Sequence, residues 1–142
     1  MSVDYQIAAL CIEDYDEIIT FWRGQEGLGL NDADEREPME RMLQRNPGMS
    51  FVARAEGVII ATILASHDSR RGYLHHLAVA PTYRKLGIGK QLVELALQQL
   101  KAAGINKCNI FVYRDNNEAE KFWNKLGFAE RTDLMVMQRT EY

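Results

Sequence analysis

Arg84-Lys85-Leu86-Gly87-Ile88-Gly89 stands between an apolar run, Gly72 to Val79, and a stretch of helical periodicity that ends near Ala103. The periodicity is carried by Val93, Ala96, Leu97 and Leu100, at i, i+3, i+4 and i+7. Lys101 suits the last turn and Gly104 the stop. The stretch therefore reads as strand, glycine-containing loop, helix. A loop that enters a helix N-terminus presents backbone N–H groups without internal acceptors. The helix dipole makes them partly positive, so they form an anion site. Glycines let the backbone approach a phosphate closely. Arg84 and Lys85 add formal charge beside it.

Working outward, the rest of the 142-residue chain alternates between strand and helix patterns. Tyr5 to Leu10 reads as a first strand. Asp14 caps a helix reaching about Gln25, with Tyr15, Ile18, Ile19 and Trp22 at helical spacing. Gly27-Leu28-Gly29-Leu30-Asn31 breaks it and has the composition of a mobile lid. Asp32 or Asp34 opens a second, more polar helix that stops at Asn46-Pro47-Gly48. Ser50 to Ala55 and Val58 to Ser66 form a hairpin through Glu56-Gly57. Beyond the long helix come a fifth strand at Asn109 to Tyr113, a short helix at Asn117 to Leu126 closed by Gly127, and a last strand at Phe128 to Gln138. The expected fold is one α/β domain over residues 1–142, in the order β-α-α-β-β-β-α-β-α-β. Its sheet is mixed and mostly antiparallel, with helices on both faces. The strands at 72–79 and 109–113 are parallel because a long helix joins them.

Composition limits the function. Apolar residues make up 46%, charged residues 26%, and the formal charge is −3, so a basic stripe for nucleic acid is not expected. One local cluster, Arg70-Arg71 with Arg84-Lys85 and Lys90, suits a small anion. The two cysteines, Cys11 and Cys108, fit neither a zinc site nor a disulfide framework, and no metal is expected. With no long apolar run and no signal-peptide pattern, a cytoplasmic protein without a membrane partner is expected. The glycine loop is not a P-loop, because Gly89-Lys90 is followed by Gln91. Nor does it suit a dinucleotide oxidoreductase, because Leu92 occupies the third glycine position of GxGxxG.

What does fit is Arg84-x-x-Gly87-x-Gly89, preceded by Leu77-Ala78-Val79 and followed by Asn116-x-x-Ala119-x-x-Phe122-Trp123-x-x-Leu126-Gly127-Phe128. These three segments, in this order, resemble the GNAT superfamily of acyl-CoA-dependent N-acetyltransferases, in particular its small bacterial members. The resemblance covers residues 72 to 128 well and the first seventy only in the order of elements. It implies acetyl-CoA as cosubstrate. Leu77 and Val79, flanking Ala78, would pair with the pantetheine arm through their backbones. The N–H groups of Lys85, Leu86, Gly87, Ile88, Gly89 and Lys90 would hold the pyrophosphate, with Arg84 beside them. Asn116 would hydrogen-bond the cofactor, and Ala119, Phe122 and Trp123 would line its channel.

The resemblance also implies acetyl transfer to a primary amine by direct attack in a ternary complex. An alkyl ammonium has a pKa near ~10.4, so on the order of a thousandth is neutral near pH 7.4. A general base, or a water chain leading to one, therefore helps. The candidates are His75 and His76, which regular strand alternation sends to opposite faces, Tyr73 and His75 on one and His76 on the other. The Val79 N–H is the candidate oxyanion donor. The family's usual proton-donating tyrosine is replaced by Trp123, whose indole cannot act as an acid. Tyr113 or Tyr73 is then the candidate donor, and a non-catalytic acyl-CoA-binding module is the alternative reading. The acceptor is a small-molecule or peptide amine, received between Trp22 and Glu37, where Asp32, Asp34, Glu35 and Glu37 offer negative charge. The apolar run Leu134-Met135-Val136-Met137 suits a core strand or the edge of a homodimer.

Overall fold

In a computed structural model, which describes residues 3–141, the elements follow from these patterns with a few instructive shifts. The strands are β1 (Gln6–Ala9), β2 (Phe51–Ala55), β3 (Val58–His67), β4 (Gly72–Val79) and β5 (Cys108–Ile110). The helices are α1 (Tyr15–Arg23), α2 (Arg36–Arg45), α3 (Ile88–Ala102) and α4 (Asn117–Lys125). The chain divides into two compact units, one up to Phe111 and one from Val112 onward.

The first unit holds a five-stranded sheet in the order β1-β2-β3-β4-β5. The first four strands are antiparallel neighbours and β4 pairs with β5 in parallel. The β2–β3 link uses positive φ at both Glu56 and Gly57, the backbone of a tight two-residue hairpin turn. Strand β3 is buried from Ile59 to Ala65 without alternation, as expected of a strand covered on both faces. On one face Trp22, Ile18 and Ile19 of α1 and Met39 of α2 pack with Val52, Leu64 and Ala78. On the other, α3 buries Ile88, Leu92, Val93, Ala96 and Leu100. Gly72 sits under α3: a Cβ there would lie 2.9 Å from Leu100 Cδ1 and 3.3 Å from Ile105 Cγ2. A side chain at 72 would force the Leu100 and Ile105 side chains to give way.

Three expectations change. Leu28 and Leu30 of the glycine-rich loop are packed against the α1 core, so that loop is anchored by its leucines. The two basic pairs, Arg70-Arg71 and Arg84-Lys85, do not share a cluster. Arg70 and Arg71 precede β4 and Arg84 follows it, and eight strand residues separate them by about 25 Å at 3.3 Å per residue.

The third change lies in the second unit, where no strand forms among the described residues from Phe128 onward. Leu134, Met135, Val136 and Met137 are exposed instead of filling a core. The unit consists of α4 and the chain around it, with Trp123 set edge-on against Phe122 and Phe128 at ring distances of 5.2 and 5.1 Å.

Candidate active site

The site begins with an irregularity in β4. Leu64 lies opposite His75, yet Thr62 lies opposite Ala78. Two steps along β3 thus match three along β4, which is a β-bulge. His76 carries it, with φ at +49°. A non-glycine residue held there costs on the order of 1–3 kcal/mol, and such strain concentrates at functional sites. The bulge overturns the alternation expected for the two histidines. His75 shares the face of its cross-strand neighbour Leu64, which belongs to the α1 core. The His76 ring turns to the same side, edge-on to Trp22 at 4.7 Å.

His76 is bound at both ends. Its Nε2 lies 2.7 Å from Asp34 Oδ1. Its carbonyl accepts from Thr62 Oγ1 at 2.9 Å, and that hydroxyl accepts from Trp22 Nε1 at 2.8 Å. Trp22 and Thr62 are fully buried. Asp34 is buried too, with Oδ2 accepting from Asn31 N–H at 3.1 Å and its carbonyl accepting from Tyr15 OH at 2.7 Å. Asp34 therefore points into the protein at His76, away from the surface role its acidic neighbours suggested. Nothing local in the sequence pairs two residues 42 positions apart.

His75 has different company. It stacks nearly parallel to Tyr73 and to Phe111 at 6.3 and 5.9 Å. Burial, with His76 adding to it, holds its pKa below the usual histidine value. Phe111, exposed on its outer side, joins this stack without having been singled out in the sequence. Tyr73 lies six positions before Val79, about 20 Å along an extended strand. Tyr73 thus stands well apart from Val79 on the strand.

Beyond the bulge, no strand pairs with the outer edge of β4 among the described residues. Its pairing with β5 ends at Leu74–Ile110 among the described residues. Ala80 N–H donates to Ile60 carbonyl at 2.7 Å, with Val79 opposite Ala61. In an antiparallel ladder this makes Ala61–Val79 a non-hydrogen-bonded pair, so the Val79 N–H and carbonyl turn away from β3. They face the side where β5 has already ended. Leu77 and Ala78 lie on the same stretch.

The loop follows directly. Arg84 Nε donates to the Val79 carbonyl at 3.0 Å. Lys85 has φ +64° and Gly87 φ +85°, and Gly87 is the residue from which α3 starts. No side chain caps that end. The N–H groups of Ile88, Gly89 and Lys90, with Leu86 and Gly87 before them, stand at the positive end of a 15-residue helix. Among the described residues, Lys90 makes only a 4.0 Å contact with Glu94. A free strand edge that runs into an uncapped, cation-flanked helix terminus fits a ligand with an amide-bearing arm and a phosphate group.

In the second unit, Asn116 is the N-cap of α4, its side-chain oxygen accepting from Ala119 N–H at 3.1 Å. That oxygen is committed to the helix, and only the amide NH₂ is left for a ligand. Phe122 and Trp123 are half-buried in the aromatic cluster, and Tyr113 is exposed beyond the end of β5. No group of three or more His, Cys, Asp or Glu suited to a metal occurs among the described residues. Likewise no helix among them is long and apolar enough to cross a membrane.

Comparisons with known proteins agree with this architecture. The model of the acetyltransferase (GNAT) family matches residues 14–128. An acetyltransferase of Yersinia pestis is 29% identical over 127 residues, covering 89% of either chain. Another, from Photorhabdus laumondii, is 30% identical over 125 residues, covering 88% of this chain and 87% of its own. Among solved structures, the PaiA N-acetyltransferase of Thermoplasma acidophilum in complex with coenzyme A superposes with a TM-score of 0.76 at 23% identity, covering 89% of this chain and 91% of its own. The aminoglycoside acetyltransferase AAC(6')-Iy, bound to a bisubstrate analogue, gives 0.75 at 23% identity, covering 98% and 99%. These structures share the fold.

Proposed function

The chain belongs to the acetyltransferase (GNAT) family, and from that premise we propose that it moves the acetyl group of acetyl-CoA to a primary amine by direct attack in a ternary complex. The observation that carries this reading is the outward-facing Val79 backbone at a free strand edge, leading straight into the uncapped N-terminus of α3. The pantetheine arm pairs with Leu77 and Val79 as an added strand. The pyrophosphate rests on the N–H groups from Lys85 to Lys90, with Arg84 held against the strand end. The family match, which runs to residue 128, supports a cofactor role for the Asn116 amide, Ala119, Phe122 and Trp123 as well.

The amine attacks the thioester carbon while the Val79 N–H receives the developing oxyanion. Of the two histidines, His76 is the better base. It stands at the bulge, whereas burial within an aromatic stack weakens His75 as a proton acceptor. A proton donor to the departing thiolate would be worth about 10²–10⁴ in rate, and a thiol of pKa ~8.5 leaves tolerably without one. Burial pushes the Cys108 thiol up to about 11, which makes it a poor nucleophile and favours direct attack over an acyl-enzyme. The second reading, an acyl-CoA-binding module without turnover, draws support from Trp123 in the position usual for the tyrosine.

The test is acetyl-CoA with a panel of amines: spermidine, kanamycin, glucosamine 6-phosphate, and peptides with free N-termini or lysines. Release of coenzyme A thiol, with mass spectrometry of the product, reports transfer. Amine-dependent thiol release with an acetylated product supports the enzyme. Binding of acetyl-CoA without release for any amine favours the binding module.

A further inference from the structure

We propose that Asp34 is a positioning residue that fixes the His76 imidazole as its Nε2–H tautomer and so leaves the Nδ1 lone pair as the proton acceptor for the amine. This deepens the acetyl-transfer reading and rests on it.

The carboxylate is arranged before any ligand binds. Oδ2 accepts from Asn31 N–H, whose own side chain accepts from Ala33 N–H at 2.8 Å, closing a capping box around the turn Asp32–Asp34. Tyr15 OH holds the Asp34 carbonyl. Oδ1 is then aimed at His76 Nε2 at 2.7 Å. A carboxylate only accepts, so Nε2 must donate and carry the proton. The neutral ring's other nitrogen, Nδ1, keeps its lone pair.

Nδ1 is not lost inside the protein. No buried side-chain nitrogen or oxygen among the described residues lacks a hydrogen-bond partner. Among the described residues the His76 hydrogen bonds run through Nε2 and the backbone carbonyl, so Nδ1 is uncommitted and is not one of the fully buried atoms. The ring cannot swing away from this orientation without losing Asp34 and its edge contact with Trp22. The charged and titratable groups around the pair are His75 on β4 and Tyr15 on α1, with Glu35, Arg23 and Asp16 near Tyr15.

The step balances without another reagent. Nδ1 takes one proton from the ammonium, directly or through a water. The free amine forms the C–N bond, the C–S bond breaks, and the thiolate leaves with a second proton lost from the amine nitrogen. The ring then returns its proton to solvent.

Two measurements on the full chain test this. Long-range proton–nitrogen correlation spectra of ¹⁵N-histidine-labelled protein read the tautomer. The expected result above pH 7 is a protonated Nε2 and an unprotonated Nδ1 for His76, and their interchange in Asp34→Asn, whose amide can donate to the ring. Second, kcat should fall about 10²-fold in Asp34→Asn and in His76→Gln. The acetyl-CoA KM should stay within about twofold, and the acidic limb of the kcat–pH profile should disappear in His76→Gln. A protonated Nδ1 in the wild type overturns the proposal. So does an unchanged kcat and pH profile in variants that still bind coenzyme A. Should Asp34→Asn not fold, the wild-type tautomer and His76→Gln decide. Should the wild type acetylate no amine, the enzymatic reading fails, and the spectra still decide whether Asp34 sets the ring.

Discussion

Arg84 reaches back across the end of β4 to donate its Nε–H to the Val79 carbonyl at 3.0 Å. This one bond joins the strand edge to the glycine loop, the two parts that the cofactor reading needs in fixed relation. Replacing Arg84 with Ala should raise the coenzyme A dissociation constant about tenfold, or about 1.4 kcal/mol. Arg84→Lys should recover only part of this, because an ammonium cannot reproduce the planar Nε donor. Titration calorimetry with coenzyme A reads both. Affinity equal to wild type in Arg84→Ala would mean that the bond does not organise the loop.

Gly87 offers a clean test of backbone conformation. Its φ is +85°, yet a Cβ would meet nothing within 4 Å. Gly87→Ala should therefore cost about 1–2 kcal/mol through the left-handed backbone alone. Asn tolerates that region, so Gly87→Asn should cost visibly less. Urea unfolding separates the two, and equal losses would point to a clash instead.

Thr62 stands between Trp22 and His76, receiving from one and donating to the other. Thr62→Val keeps the shape but leaves the Trp22 N–H unpaired in a fully buried site. The expected loss is about 1–3 kcal/mol, seen as a lower urea midpoint at constant m. A change below about 0.5 kcal/mol, the scatter typical of surface substitutions, would show that the chain of bonds adds nothing to stability.

His75 predicts a pH dependence. Burial lowers its folded-state pKa below 6.5, so the unfolded chain binds the extra proton more readily. Stability from this residue is fully present above about pH 6.5 and is lost as pH falls through the lower folded value. Unfolding free energy should rise with pH across the window just below 6.5, and His75→Gln should flatten that rise. An unchanged slope in the variant would assign the dependence to other groups.

Much of the architecture could be read from local pattern. The α3 periodicity and the glycine loop rest on signals within a few residues, and the parallel β4–β5 pair follows from the long helix that joins the strands. The histidine faces could not be read, because alternation assumes an unbroken ladder, and His76 breaks it. Asp34 could not be paired with His76 because the fold brings them together, not the spacing. The family resemblance implied only a ligand contact for Asn116, and the structure uses its side-chain oxygen to cap α4. The strand expected from Phe128 to Gln138 has the right residue types, but strands also need a partner, which composition does not supply.

Thermal unfolding with acetyl-CoA, coenzyme A, NAD and ATP in parallel tests the central claim most directly. At about 100 times its dissociation constant, a cofactor that binds the folded state adds about 2.7 kcal/mol, a shift of several degrees for a domain of this size. The account predicts that shift for acetyl-CoA and coenzyme A, a smaller one in Arg84→Ala, and none for NAD. No stabilisation by either coenzyme A species, or an equal effect from NAD, would contradict it.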